Sequence, residues 1–301
     1  MKKTAYEEIL ELYPLVSYEE NRKTEGNVTL LFEKESFDII EGLHYTSRRY
    51  QVGDGRGVDV HIAFLSPTAK AQLAVSAAPL RKVKMVKQHV EQFPRKAYYA
   101  TNASFFHYFN DGDLTPYGIQ IVNGVVMAEP GNDKPQYATN WIGVLKDGTP
   151  VIADADAYFS TYEGKLDYAV GGGLILIKDG EIRLHNDGGK GPRTVVAIAT
   201  DGTVILLCAD GRREDSCGIS YGDTIEIFTN LGYEIRDLLN LDGGGSTTVI
   251  LREEDGTLVT KNVPSGPPLP VSYRKYGLEK PVPKGDTLSR AVADCLLIVE
   301  K

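Results

Sequence analysis

Apolar and polar positions alternate along much of this chain with the two-residue period of β-strands. In residues 58–64 the alternation predicts a strand with an apolar face and with His61 on the opposite face. From residue 97 onward, Asn-Gly or Asp-Gly pairs separate such runs at 123–124, 147–148, 179–180, 201–202 and 255–256. These pairs supply the positive φ angles of two-residue turns, so the pattern predicts a series of antiparallel hairpins. The last apolar run, 291–299, is predicted to be a strand that returns to the main sheet.

Helical signals are confined to a few segments, of which the clearest are 4–13, 82–93 and 223–231. The first begins with Thr4 and Glu7, which have the spacing of a capping box. The second carries apolar side chains at helical spacing. The third is predicted to start near Asp223 or Thr224 and to end at Gly232.

Many hairpins and few helices predict an α+β fold, with large, mostly antiparallel sheets built from hairpins and a few helices packed on them. No segment has the composition of a linker between domains. We therefore expect one main domain over residues 51–301, preceded by an N-terminal extension over residues 1–50 that contains a short helix and strands.

The composition is that of a soluble globular protein, since 42% of the 301 residues are hydrophobic and 25% are charged. The formal net charge of −8 argues against a nucleic-acid partner bound along an extended surface, although it allows a local basic pocket. The three cysteines do not form a disulfide framework. Cys208 and Cys295 lie in apolar runs and are predicted to be buried, whereas a Cys208–Cys217 disulfide is the less favoured alternative.

No apolar stretch approaches the ~20 residues of a membrane span. The N-terminus lacks the apolar core of a signal peptide, so a cytoplasmic location is the default expectation. Paired cysteines and closely spaced histidines, which would indicate zinc, are absent from the sequence, and no cofactor is expected. A divalent cation such as calcium is the alternative, with Asp111/Asp113 and Asp154/Asp156 as its candidate ligands.

The segment from Leu239 to Thr248 carries the strongest chemical signal in the chain. An apolar run delivers Asp242, three glycines follow, and hydroxyl side chains lead into the next apolar run. Consecutive glycines indicate a sharp bend or a close approach of the backbone. Successive N–H groups in such a turn can bind an anion. A glycine-rich hairpin with a capping Asp is the structural alternative.

Three further elements could contribute to a site. Asn102 ends an apolar run just before two aromatic residues, where it could hold a sugar or close a turn. Arg193 and Thr194 open another run, and the planar guanidinium of arginine fits phosphate. Asp210 and Arg212 follow a third run, where an ordinary Asp-Gly turn is the alternative.

Taken in order along the chain, these elements resemble the motifs of the phosphodiester glycosidase family. The residues that carry the resemblance are Asn102, Phe105 and Phe106, Gly118, Asn123-Gly124, Gly171–Gly173, Arg193-Thr194, Asp210-Gly211-Arg212 and Leu241–Thr247. The resemblance covers roughly residues 97–299, including Arg290 before the last strand. Ala103 and Ser104 stand where the family usually has glycines.

The resemblance implies a hydrolase that cleaves the sugar C1–O bond of a sugar-1-phosphodiester. The sugar would be N-acetylglucosamine or a related hexose, and the products would be free sugar and a phosphomonoester. The implied catalytic residues are Asp242, Asp210 and Arg193. The implied substrate-binding residues are Asn102, Thr194, Arg212, Gly243, Gly244, Gly245, Ser246 and Thr247. The family also implies a secreted or cell-surface alternative for the location.

Two other functions remain open at this point. One is a non-catalytic carbohydrate-binding cell-surface module, and the other is a metal-assisted phosphodiesterase. The presence of Asn102, Arg193 and Asp242 argues against a module that has lost its activity. The expected partner is thus a small-molecule or glycan sugar-phosphodiester, and the oligomeric state is left open.

If these residues form a single active site, they must lie close together in the fold. The side chains of Asn102, Arg193, Asp210, Asp242 and Ser246 should line one pocket, because sugar and phosphate are both small. The amides of Gly243–Gly245 should point into this pocket, and it should be locally positive.

Overall fold

Three antiparallel β-sheets dominate the structure, a computed structural model that describes residues 3–79, 82–107, 114–131, 135–186, 189–265 and 289–301. The strands of these described ranges are β1 (Thr29–Ile40), β2 (Leu43–Gln51), β3 (Gly57–Leu65), β4 (Ala71–Ala77), β5 (Ala97–Asn102), β6 (Gln120–Val122), β7 (Val125–Ala128), β8 (Asn140–Leu145), β9 (Pro150–Asp154), β10 (Leu166–Gly172), β11 (Ile175–Lys178), β12 (Glu181–Ile182), β13 (Arg193–Ala199), β14 (Val204–Ala209), β15 (Ile235–Asn240), β16 (Val249–Arg252), β17 (Leu258–Thr260) and β18 (Asp294–Glu300). The helices are α1 (Ala5–Leu12), α2 (Tyr18–Glu25), α3 (Val86–Gln92), α4 (Pro135–Ala138), α5 (Ala155–Ala157) and α6 (Tyr221–Thr229). A π-helical turn covers Tyr158–Tyr162, and a 3-10 turn covers Gly244–Ser246.

Sheet A has eight strands in the order β1-β2-β3-β14-β13-β15-β11-β12. Sheet B has the order β7-β6-β10-β8-β9, and sheet C has the order β17-β16-β5-β18-β4. Every described strand pairing is antiparallel, and the α+β fold dominated by sheets is confirmed. None of the helices in the described ranges has the length and apolar character that a membrane crossing requires.

The hairpins lie where the Asn-Gly and Asp-Gly pairs predict them. Those turns join β6 to β7, β8 to β9, β11 to β12, β13 to β14, and β16 to β17. Asn123 and Asp179 have positive φ angles of 50° and 52°, which asparagine and aspartate tolerate better than most residues. Local turn chemistry thus accounts for the strand order within each hairpin.

Two helices differ from their predicted limits. The predicted helix 82–93 begins only at Val86, because Lys84 forms a β-bridge with Val292. Helix α6 begins earlier than predicted, because Ser220 caps it and forms a capping box with Asp223. By contrast, α1 starts after Thr4 with the predicted capping box.

The central strands of sheet A are buried on both faces. Along β13, Val195 and Ala197 pack in a cluster that includes residues of α1 and α6. The alternate residues Val196 and Ile198 pack in a cluster with residues of sheets B and C. Cys208 and Cys295 are buried free thiols as predicted, and Cys217 is also free.

Both ends of the chain are integrated into the sheets. Strands β1 and β2 continue sheet A through β3, so this sheet crosses the predicted boundary at residue 50. In α2, the buried Arg22 forms ion pairs of 3.0 Å with Asp223 and Glu226 of α6. Strand β18 lies between β5 and β4 in sheet C, rather than in the largest sheet.

Candidate active site

The chain passes from sheet A to sheet C through residues 241–248, here called the glycine loop. It begins after β15 and ends at β16. The Leu241 amide donates to Thr194 O in sheet A at 2.8 Å, and the Asp242 amide donates to Ala103 O, next to sheet C, at 3.0 Å. The start of the loop is therefore held by both sheets.

Two of its glycines allow contacts that a side chain would block. A Cβ atom on Gly243 would lie 2.5 Å from Pro192 O, and Gly244 has a φ of +61°. The Gly244 amide donates to Pro192 O at 2.9 Å. This amide therefore has an acceptor within the protein and does not point freely into the cavity.

The side chain of Asn102, at the end of β5, makes hydrogen bonds to the glycine loop. Its Nδ2 donates to Asp242 O at 2.6 Å, and its Oδ1 accepts from Thr194 Oγ1 at 2.8 Å and from Thr248 N at 3.3 Å. The Thr194 hydroxyl also lies 3.3 Å from that of Thr247. Asn102, Thr194 and Thr247 are all buried. Their polar atoms make hydrogen bonds within the protein and are not exposed to the cavity, so these side chains do not line the pocket as predicted.

A cavity of about 410 Å³ opens beside the loop, within the ~300–1,000 Å³ range of small-ligand sites. The predicted site residues at its wall are Arg193, Arg212, Asp242, Gly243, Gly244 and Gly245. Further residues at its wall are Phe105, Tyr137, Lys190, Tyr221, Asn240 and Arg290. Of the described residues that line the cavity, Asp242 is the only acidic one.

Among the described residues that line the cavity, three arginines and Lys190 outnumber the single carboxyl, although the chain has a net charge of −8. Arg193 stacks on the ring of Tyr221 at 4.2 Å from its centroid and donates to Ile219 O at 3.2 Å and to Gly189 O at 2.9 Å. These contacts hold the guanidinium in one orientation at the cavity wall.

Arg212 contacts the glycine loop and has an unusual backbone conformation. Its φ is +61°, and unlike Asn123 and Asp179 it does not precede a glycine in a hairpin turn. A Cβ on Gly244 would lie 3.1 Å from both of its terminal nitrogens, so the guanidinium packs on the glycine backbone. Strained backbone of this kind is often found at functional sites.

Asp242 lines the cavity wall as a half-buried residue. Burial raises its pKa to about 6, although hydrogen bonds from the Ser246 side chain and the Gly243 amide and the charge of Arg290 counter this rise. Arg290 also donates to the Ser246 hydroxyl at 3.4 Å. Ser246 itself is buried behind the wall. It therefore touches the carboxyl but does not line the cavity.

Asp210 lies away from the cavity, contrary to the prediction. Its Oδ1 accepts from Asn262 Nδ2 at 3.0 Å, and its Oδ2 accepts from Val263 N at 2.9 Å. Asn262 in turn donates to Thr247 O and accepts from Val249 N. Burial raises the pKa of Asp210 to about 6. This carboxyl thus supports the end of the glycine loop through Asn262.

Arg290 and Asn240 line the site but were not among the predicted site residues. The signal for Asn240 was its position just before Leu241 and Asp242, and Arg290 is a lone cation before the last strand. Neither position stands out by residue type. Their placement became visible only when β15 and β18 were assembled in different sheets.

The candidate metal ligands have other contacts where the structure describes them. Asp154 accepts from Ala157 N at 2.9 Å, and Asp156 accepts from Ala5 N at 2.8 Å. Asp111 and Asp113 lie outside the described residues. Within the described ranges, no three His, Cys, Asp or Glu side chains are grouped so that they could hold a metal ion.

Comparisons with known proteins agree with this architecture. The sequence model of a family described as phosphodiester glycosidase matches residues 95–299. The catalytic domain of zebrafish N-acetylglucosamine-1-phosphodiester alpha-N-acetylglucosaminidase, auto-inhibited by its pro-peptide, superposes with a TM-score of 0.62 at 20% identity, over 96% of this chain and 95% of that chain. A hypothetical protein from Synechocystis gives a TM-score of 0.57 at 15% identity, over 89% of this chain and 64% of that chain. Both likenesses are in fold. A comparison with curated protein sequences found no match.

Proposed function

This chain belongs to the phosphodiester glycosidase family and is a hydrolase of that class, and we propose that its substrate is a sugar-1-phosphodiester of N-acetylglucosamine or a related hexose. The similar zebrafish enzyme is named for the α-linked N-acetylglucosamine phosphodiester on which it acts. An α-linked N-acetylglucosamine-1-phosphodiester is therefore the first substrate to test.

One observation carries the proposal. Asp242 lines the same cavity as Arg193 and Arg212. A sugar phosphodiester needs both charges at adjacent points, because positive charge develops on the sugar ring while negative charge grows on the departing phosphate. Arginine is suited to the phosphate, and an ionised carboxylate is suited to the ring.

In the proposed reaction, water attacks C1 of the sugar and the C1–O bond to phosphate breaks. The phosphate departs with the electron pair of that bond and is stabilised by Arg193 and Arg212. The ionised Asp242 stabilises the cationic ring or accepts a proton from the attacking water. Ordinary glycosidases use a second carboxyl to protonate the leaving group. A phosphate leaves as a stable anion, so Asp242 alone suffices, and Asp210 keeps its contact with Asn262.

Three of the remaining predicted residues hold this arrangement. Asn102 fixes the backbone carbonyl of Asp242, and Thr194 fixes Asn102. Ser246 provides a hydrogen bond to the Asp242 carboxyl. We assign these three to positioning, because they are buried among protein groups.

Hydrolysis in heavy-oxygen water tests the proposal on a panel of α- and β-linked sugar-1-phosphodiesters. We expect the label in the released sugar, because water attacks carbon. Label in the released phosphate would indicate attack at phosphorus and a phosphodiesterase. Inactivity across the whole panel would favour the carbohydrate-binding module.

A further inference from the structure

Asn240, the last residue of β15, has a buried side-chain oxygen with no partner. The residue is 2% exposed and borders the cavity, yet its Oδ1 accepts no hydrogen bond in the described structure. Its backbone is satisfied, since its N–H donates to Leu174 O at 3.0 Å and its carbonyl accepts from Gly173 N at 2.7 Å. A buried polar group without a hydrogen bond destabilises a fold. Because the residue lines a cavity, this oxygen is a candidate acceptor for a donor on a bound ligand.

A second asparagine provides a comparison within the same region. Asn140 is also buried, and its Nδ2 donates to Gly173 O at 2.7 Å. The two asparagines therefore contact the same glycine, one through its side chain and the other through its backbone. Asn140 does not border the cavity beside the glycine loop. Its amide thus has a structural hydrogen bond, whereas Oδ1 of Asn240 has no partner.

The surroundings of Asn240 favour a sugar as the ligand. A Cβ on Gly173 would lie 3.1 Å from Phe105 Cε2 and 3.2 Å from Asn240 Nδ2, so the absence of a side chain there brings the ring and the amide together. Phe105 also packs against Tyr137, with ring centroids 4.5 Å apart. Both rings border the cavity. A pyranose presents apolar C–H faces to such rings and O–H or N–H donors at its rim, which matches an aromatic wall next to a neutral acceptor.

We propose that Asn240 determines sugar specificity by accepting, through Oδ1, a hydrogen bond from one donor on the sugar of the substrate. The donor is either a ring hydroxyl or the N–H of a 2-acetamido group. This inference rests on the proposed function for the identity of the substrate. It places the sugar beside Phe105 and Asn240, and the phosphate beside Arg193 and Arg212.

The test pairs Asn240→Leu with sugar-1-phosphodiesters that lack one donor each. Leucine has nearly the shape of asparagine but cannot accept a hydrogen bond. We expect kcat/KM of Asn240→Leu to fall about tenfold on the complete substrate, the typical value of one hydrogen bond. The loss should disappear on the one analogue that lacks the partner of Asn240, because enzyme and substrate then lose the same interaction. A 2-deoxy analogue, which carries hydrogen in place of the acetamido group, lacks the N–H donor and keeps the other ring hydroxyls, so it separates the two kinds of donor.

Thermal unfolding separates this role from a structural one. Asn240→Leu should have an unchanged or raised Tm, because it removes an oxygen that is buried without a partner. The matched control, Asn140→Leu, should have a lower Tm, because it removes the donor to Gly173 O. A loss of Tm in Asn240→Leu as large as that in Asn140→Leu would overturn the proposal. An equal loss of kcat/KM on every analogue would also overturn it.

Binding of free N-acetylglucosamine and its deoxy analogues, measured by calorimetry, distinguishes failure of this inference from failure of the proposed function. Suppose that the chain proves inactive on all phosphodiesters. The sugar contact is still supported if Asn240→Leu binds sugars more weakly than the wild-type chain and this difference in affinity disappears for one analogue only. If neither the wild-type chain nor Asn240→Leu binds any of these sugars, the inference is overturned.

Discussion

Two buried carboxyls support different ends of the glycine loop and share one electrostatic property. Burial raises the pKa of Asp242 and of Asp210 to about 6. Asp242, at the start of the loop, is one of the residues that line the cavity. Asp210 has both oxygens occupied by Asn262 and Val263, and through Asn262 it reaches the end of the loop. A raised pKa therefore identifies burial in both, and only access to the cavity distinguishes the candidate for chemistry.

The arginines near the loop also differ in whether they line the cavity. Arg193 and Arg212 border the cavity, whereas the neighbouring Arg213 forms an ion pair with Asp215 away from it. Residues of the same type, adjacent in sequence, thus have different environments. The comparison predicts which variants should impair turnover and which should not.

The largest expected effect is that of Asp242→Asn. Asparagine keeps the shape of the side chain but cannot carry the negative charge that the transition state needs, so kcat should fall on the order of 100-fold or more. Steady-state kinetics on an active sugar-1-phosphodiester provides the measurement, with circular dichroism as the check on folding.

Asp210→Asn is the matched control for this variant, because it changes a carboxyl with the same pKa outside the cavity. Its kcat should stay within about tenfold of the wild-type value, since it acts only through the position of the loop. Wild-type turnover in Asp242→Asn together with a large loss in Asp210→Asn would reverse the comparison.

A smaller effect is expected for Arg193→Lys. Lysine keeps the charge but loses the planar fork and the stacking on Tyr221, so kcat/KM should fall about 10- to 100-fold. The control is Arg213→Lys, for which an exposed ion pair predicts a change of less than about twofold. Equal kinetics for the two variants would contradict the assignment of Arg193 to the phosphate.

The smallest effect is a shift along the pH axis. The proposed active form of Asp242 is ionised, so kcat/KM should rise with pH through an apparent pKa near the value of about 6 for this carboxyl. Bound phosphate is an added negative charge and disfavours ionisation, so the same limb should lie at higher pH in kcat than in kcat/KM.

The control variants show which carboxyl causes this rise of kcat/KM with pH. It should persist in Asp210→Asn, although that residue has a similar pKa, and it should be absent in Asp242→Asn. A limb that falls instead of rising near pH 6 would mean that protonated Asp242 donates a proton, and the one-carboxylate mechanism would be wrong.

Local patterns predicted much of the fold, because they depend on neighbours in the chain. The five hairpins follow from Asn-Gly and Asp-Gly turns, and the start of α1 follows from its capping box. The limits of α3 were wrong because Lys84 pairs with Val292, and no local pattern reveals a partner about 200 residues away. Assignment of the last strand to sheet C also required that long-range pairing.

In the site, too, some features could be predicted from the sequence and others depend on the tertiary structure. Residue types and their order directed attention to the glycine loop, Asp242 and Arg193, and the structure places residues of all three at the wall of one cavity. The tertiary structure alone decided which polar side chains reach the cavity. Asn102 and Asp210 are buried against residues 140 and 52 positions away, whereas Asn240 lines the cavity and its Oδ1 has no partner. Hydrogen bonds within a folded protein join groups that are near in space, and so the role of a polar side chain depends on the partners that folding brings to it.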